Sequence, residues 1–188
     1  MNTSLRTANI VGADARTRPV WRAAAGVVGF AVAIALAAHV AVPVPGTPVP
    51  ATLQTLAVLL AALALGPRLA VAAVALYLAL GLTGWPVFAL GKWASAGYLA
   101  GFLLAPPVIA AVLATGPVRW WRTLAALLAG EVVIFAAGVA GLAVWTAWIA
   151  DGAVQAGVLL GLGVLPFVPG EVLKLAIALS AARAIQRH

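Results

Sequence analysis

Cysteine is absent from all 188 residues, which excludes disulfides, a thiolate nucleophile and any cysteine-held zinc or iron–sulfur centre. The two histidines, His39 and the terminal His188, are too few and too far apart to build a metal site. Charge is scarce as well: charged residues make up only 8% of the chain, against roughly one-quarter in soluble domains. There is no Gly-x-x-x-x-Gly-Lys-Ser/Thr run, so any ATP use belongs to another polypeptide. No nucleophile–base pair or paired-acid arrangement supports an intramembrane enzyme. What fills the sequence instead is apolar, with 65% hydrophobic residues and a mean hydropathy of +1.14. Lipid is the natural solvent for such a chain.

The net charge of +7 does not point to nucleic acid, because the basic residues sit between apolar runs and form no basic stripe. They report orientation instead. The first apolar run follows Arg6, Arg16, Arg18 and Arg22 as a signal peptide would, but it is too long for one and is read as a retained helix. A crossing needs on the order of 20 apolar residues, and the runs predict spans at 21–42, 52–65, 69–83, 98–115, 123–148 and 169–185. Helix-ending chemistry separates them at Pro43 to Pro48, Gly66-Pro67, Gly84-Trp85-Pro86, Gly116-Pro117 and Asp151-Gly152. With six crossings, the arginines of the N-terminal tail, Arg68, Arg119, Arg122, Arg183 and Arg187 share one side, and the opposite loops carry only Lys92 and Asp151. By the positive-inside rule that side is cytoplasmic. The expected fold is therefore an all-α integral membrane protein: a cytoplasmic tail over 1–20, then a single six-helix transmembrane bundle over 21–188 with both termini cytoplasmic. Trp21, Trp85, Trp93, Trp120, Trp121, Trp145 and Trp148 fall near span ends, where indoles anchor at headgroups.

The second, third and sixth spans run to about 15 residues, roughly 22 Å at about 1.5 Å per residue, short of the roughly 30 Å hydrocarbon core. Each adjoins an apolar, Pro/Gly-rich outer segment, at 43–51, 84–97 and 161–170. Non-helical backbone at membrane depth is tolerated only when it is buried in protein or lines a cavity. These segments are expected to be re-entrant and to wall a pocket in the outer half, as interrupted helices do in transporters.

The chemistry concentrates in Pro166-Phe167-Val168-Pro169-Gly170-Glu171-Val172-Leu173-Lys174. Pro169 can open a helix, which puts Glu171 and Lys174 three residues apart on one face of its first turns. Two readings stand. Either the pair is a mutually neutralised structural ion pair or one snorkelling to the interface, or Lys174 holds a ligand carboxylate while Glu171 accepts ligand N–H groups or orients Lys174. Glu131 is a third intramembrane acid with no base nearby in sequence; it is a structural carboxyl, a partner for another helix, or part of a coupling route. His39 reads as a packed or interfacial imidazole. Thr52, Gln54 and Thr55 follow the first broken segment, and Lys92, Trp93, Ser95 and Tyr98 lie along the second. Capping and anchoring explain each singly, while their convergence on one rim suggests ligand contact, with Lys92 attracting an anion or gating and Trp93 stacking on it. The small residues Ala31 and Ala35, with Ala33 and Ala37, permit close helix approach and suggest a docking surface for a partner subunit.

Several stretches resemble the BioY biotin transporter family: Pro48-Val49-Pro50-Ala51-Thr52-Leu53-Gln54-Thr55-Leu56; Leu65-Gly66-Pro67-Arg68 with Leu76-Tyr77-Leu78 and Gly81; Gly84-Trp85-Pro86-Val87-Phe88-Ala89; Gly97-Tyr98-Leu99-Ala100-Gly101-Phe102; and the Pro166 to Lys174 run. The resemblance runs in order through most of residues 30–182. It implies a substrate-binding S component of an energy-coupling factor importer in a bacterial inner membrane, with biotin as transported ligand and no cofactor. It also implies a coupling transmembrane subunit and ABC-type ATPases as partners, docking on the first helices. The ligand-binding residues it suggests are Lys174, Glu171, Tyr98, Gln54, Thr52, Lys92, Trp93 and Ser95. Where the family has Pro-Gly-Asp this chain has Pro169-Gly170-Glu171, and its Gly91 to Tyr98 stretch replaces a glycine-rich loop. The alternatives are an S component or solitary carrier for another small anionic vitamin, and a structural membrane subunit without a ligand. Biotin suits the inferred pocket, having an apolar ring and chain for aliphatic walls, a ureido group for polar partners and a carboxylate for lysine.

Overall fold

A computed structural model of the chain describes residues 19–89, 93–117, 119–150 and 154–187. Arg6, Arg16, Arg18, Gly91, Lys92, Asp151, Gly152 and His188 lie outside the described residues, as does most of the tail expected over 1–20. The chain runs through α1 (Val20–His39), the strands β1 (Ala41–Val42) and β2 (Ala51–Thr52), α2 (Gln54–Leu65), α3 (Pro67–Leu82), α4 (Ala96–Ala114), α5 (Trp120–Ala150), a short α6 (Ala156–Gly163), a 3₁₀ turn (Leu165–Phe167) and α7 (Val168–Arg187). Four apolar segments are long enough to cross a membrane, namely Val20–His39, Ala96–Ala114, Trp120–Ile149 and Ala156–Ala184, and α2 and α3 are shorter apolar helices. The six expected helical segments are thus present, and the protein is a multi-pass membrane protein.

Two local expectations change. The first helix stops at His39 rather than at residue 42, because Pro43 disfavours helical backbone before it. Residues 41–42 pair instead with 51–52 as a small antiparallel ladder, Ala41 opposite Thr52 and Val42 opposite Ala51. The segment 161–170, expected to be largely non-helical, is mostly helical: α6 ends at Gly163, a single 3₁₀ turn carries Pro166, and α7 begins at Val168. The last crossing is therefore a full-length helical segment broken once, and only α2 and α3 remain short. At the α2–α3 junction Gly66 adopts φ 79°, which reverses the chain so that Pro67 can open α3.

The helices enclose two apolar clusters stacked along the bundle. One gathers the start of α3, the ends of α2, α4 and α7 and the start of α5, with Leu63, Ala70, Leu113, Ala126, Leu127 and Ala182. This end carries the arginines: the Arg183 guanidinium lies 5.7 Å from the Trp120 ring, joining α7 to α5 there. The other cluster holds Ile34, Val49, Tyr77, Tyr98, Phe102, Leu142 and Phe167 at the opposite end. Of the buried polar side chains, Gln54, Thr55, Glu131, Glu171 and Lys174 come from α2, α5 and α7. Trp21, Trp85, Trp120, Trp121 and Trp148 are exposed near helix ends, as anchors should be.

The most extensive helix–helix contact, α4 with α5, packs through glycine. A Cβ on Gly141 would come within 2.5 Å of the Gly97 Cα, so the two backbones touch directly. One turn below, the bare face of Gly138 receives the Tyr98 ring, where a Cβ would lie 2.2 Å from Tyr98 Cε1. This glycine seam sets where Tyr98 stands in the outer half.

Candidate ligand-binding site

The site is built on the start of α2. The β1–β2 ladder brings the chain back from the Pro-rich segment, the Leu53 N–H donates to the Ala37 carbonyl of α1 at 3.3 Å, and α2 opens at Gln54. The Thr52 hydroxyl accepts from the Gln54 N–H at 3.3 Å and donates to Gln54 Oε1 at 3.2 Å, which fixes the glutamine side chain. Gln54 Nε2 then donates to the Tyr77 hydroxyl of α3 at 2.7 Å, inside the protein. Tyr77 is fully buried and meets the Phe88 ring edge-on, with centroids 5.5 Å apart. Phe88 in turn rests where a Cβ on Gly81 would be. The outer segment after α3, which turns at Gly84 with φ 96°, is folded back onto the bundle by that ring.

Opposite α2 stands the first turn of α7. Lys174 Nζ donates to Glu171 Oε1 at 2.7 Å, to Thr55 Oγ1 at 3.0 Å and to the Thr52 carbonyl at 2.5 Å. An ammonium has three N–H donors, and all three are used. The Thr55 hydroxyl donates to Glu171 Oε2 at 2.9 Å, closing a ring of three side chains. Of the two arrangements the spacing allows, the mutual pair of Glu171 and Lys174 is the one seen, and α2 completes it.

A cavity of about 50 Å³ lies against this ring, with Thr52, Gln54, Thr55, Ser95 and Glu171 as polar lining and Tyr98, Phe102, Phe135 and Phe167 among its apolar walls. The Tyr98 hydroxyl donates to the Gly163 carbonyl at 2.6 Å, and its ring meets Phe135 edge-on at 5.8 Å. The tyrosine therefore offers the cavity its ring and spends its hydroxyl on holding the end of α6.

Of the residues singled out from sequence, the structure brings Thr52, Gln54, Ser95, Tyr98 and Glu171 to this cavity, with Lys174 directly behind it. Trp93 lies elsewhere: it is 71% exposed and lines a wider apolar groove with Trp145 and Trp148. Lys92 lies outside the described residues. His39 is exposed, with Nδ1 2.8 Å from the Ala35 carbonyl one turn back. The partner-docking reading of Ala31 and Ala35 needs correction. Ala31 is 1% exposed inside the chain's own outer core and so is closed to a partner, while Ala35 is partly buried against the same core. The free side of α1 carries Val28, Val32 and Leu36 instead. Thr55, read from the sequence as part of the polar run after the first broken segment, joins the site as well. One site residue was not singled out for a role: Tyr77, visible as one of only two tyrosines in the chain. Among the described residues no cluster of three His, Cys, Asp or Glu side chains is arranged to hold a metal.

Residues 6–188 match the sequence profile of the BioY family. The chain belongs to the BioY family. It is 36% identical over 146 residues to a probable biotin transporter BioY of Pyrococcus horikoshii, covering 74% of this chain and 82% of the relative. To the biotin transporter BioY of Thermotoga maritima it is 35% identical over 156 residues, covering 79% and 86%. This is a family of transporters, not of enzymes. The fold matches the crystal structure of the S-component for biotin from an ECF-type ABC transporter with a TM-score of 0.77, over 90% of this chain and 93% of that one, at 22% identity. The resemblance seen in the Pro166 to Lys174 and Gly84 to Ala89 stretches therefore extends to the whole bundle.

Proposed function

We propose that this chain is the membrane-embedded substrate-binding component of an importer, capturing biotin from outside and passing it inward. In this reading the power comes from a coupling transmembrane subunit and ABC-type ATPases. The two BioY relatives and the S-component fold support the substrate and the partners. The observation that carries the reading is the saturated Lys174 ammonium beside a cavity with polar lining and aromatic walls. A cation at this depth is costly unless it is paired, and such residues mark substrate paths.

Lys174 serves as the clamp for the ligand carboxylate, and the aromatic walls hold the ring and chain. Thr52, Gln54, Ser95 and Glu171 supply partners for the ureido group. Because no N–H of Lys174 is spare, capture is an exchange. The carboxylate displaces one existing acceptor, and Glu171 Oε1 is the natural one, since Glu171 itself lines the cavity and keeps the Thr55 hydroxyl when it turns away. The cavity, about 50 Å³, is far below the roughly 300–1,000 Å³ of small-molecule pockets. Entry therefore opens the 43–51 hairpin and the outer segment that contains Trp93. Moving the hairpin enlarges the cavity beside Glu171.

Equilibrium binding to the purified protein tests this. Biotin is expected to bind, its methyl ester more weakly, and Lys174→Ala to lose the preference for the acid. Failure of biotin to bind at micromolar concentration, or equal binding of acid and ester, would remove the clamp.

A further inference from the structure

Glu131 of α5 is 5% exposed, and neither of its carboxyl oxygens has a hydrogen-bond partner. The Lys174 ring does not use it. The elements packed near it present apolar groups, Ile109 of α4 and Leu59 of α2 at the adjacent Gly130. Among the described residues, the charged groups within electrostatic reach of it are Glu171 and Lys174 of α7. A carboxylate left at this depth with neither cation nor donor would be an unpaired buried charge, which proteins avoid by neutralising the group. Glu171 has the complementary property. A carboxylate offers about four acceptor positions, and Glu171 uses one on Lys174 and one on Thr55.

We infer that Glu131 is an uncharged acid and the standby partner of Glu171: when a ligand carboxylate claims Lys174, Glu171 turns from the lysine and accepts the O–H of Glu131. The inference rests on reading Lys174 as the carboxylate clamp. Without a standby donor, clamping one anion would leave another with only the Thr55 hydroxyl in place of its cation, because the glutamate released from the lysine is itself buried. With it, the lysine changes partners while no carboxylate is left unpaired. Glu131 is thus a positioning residue acting through Glu171, and it needs no contact with the ligand.

The test compares biotin and its methyl ester on the wild-type protein and on Glu131→Gln, Glu131→Leu and Lys174→Ala. Glu131→Gln keeps an N–H donor and is expected to bind biotin within about threefold of wild type, while Glu131→Leu loses roughly ten- to a hundredfold. The ester, which does not claim the lysine, is expected to bind both Glu131 variants as it binds wild type. Equal biotin binding by Glu131→Leu and wild type overturns the inference, as does an equal loss for acid and ester, or a glutamine variant as weak as the leucine one. If Lys174→Ala binds like wild type and the ester like the acid, the clamp itself fails and this inference falls with it. An infrared measurement gives an independent check that needs only the glutamine variant. The carboxylic-acid band that disappears in Glu131→Gln is expected to shift when biotin binds and to stay when the ester binds; a band unmoved by biotin overturns the inference.

Discussion

Lys174 Nζ lies 2.7 Å from Glu171 Oε1, one helical turn away in α7, and both side chains are buried. Removing one member of a buried pair strands the other and is expected to destabilise by about 3–5 kcal/mol, whereas replacing both by apolar residues is often neutral. Lys174→Met and Glu171→Leu alone should each lower the melting temperature in detergent. The double variant should recover most of the loss and still fail to bind biotin. Thermal unfolding beside ligand binding separates the two roles.

Gln54 and Tyr77 form a second buried pair, with Nε2 donating to the tyrosine hydroxyl at 2.7 Å. Gln54→Leu leaves that hydroxyl without its partner, a penalty of about 1–3 kcal/mol. Adding Tyr77→Phe removes the orphaned group. A double-mutant cycle on thermal stability should therefore show the second change costing little or nothing in the Gln54→Leu background.

The glycines divide by their surroundings. Gly141→Ala puts a methyl 2.5 Å from the Gly97 backbone, which has no side chain to give way. It is expected to cost about 1–3 kcal/mol, as overpacking does. Gly157→Ala and Gly161→Ala in α6 meet nothing within 4 Å and are expected to hold or raise stability, since alanine is favoured over glycine in a helix by about 1 kcal/mol. Opposite shifts in melting temperature are the predicted signature.

The absence of cysteine makes the topology directly testable. A single cysteine at Trp85 should react with a membrane-impermeant thiol reagent on intact cells. One at Arg119 should react only after permeabilisation, since Arg119 precedes the α5 end where Trp120 meets Arg183. Labelling of Arg119→Cys from outside would reverse the assigned orientation.

Ligand linkage gives a final check. Biotin at about 100 times its dissociation constant should add roughly 2.7 kcal/mol to the stability of the wild-type protein. The same concentration should leave the melting temperature of Lys174→Ala unmoved.

The sequence by itself determined the membrane class, the six helical segments and the placing of Glu171 and Lys174 on one helix face. Each rests on something local. Apolar run length decides whether a segment can span, Gly and Pro decide where it breaks, and a three-residue spacing puts two side chains on one helix face. Even the family was legible, because its motifs are short contiguous stretches. Tertiary structure alone decided what stands opposite that pair. Thr52 and Thr55 reach Lys174 across 122 and 119 residues of chain, and Glu131 comes within electrostatic reach of Glu171 from a different helix. Such meetings depend on how each helix is rotated and at what depth it sits. Those are set by contacts such as Gly97 on Gly141, whose effect is invisible until both helices are in place. The same reason explains Ala31: the small residues of α1 were visible as a stripe, but only the packed bundle shows that Ala31 faces inward.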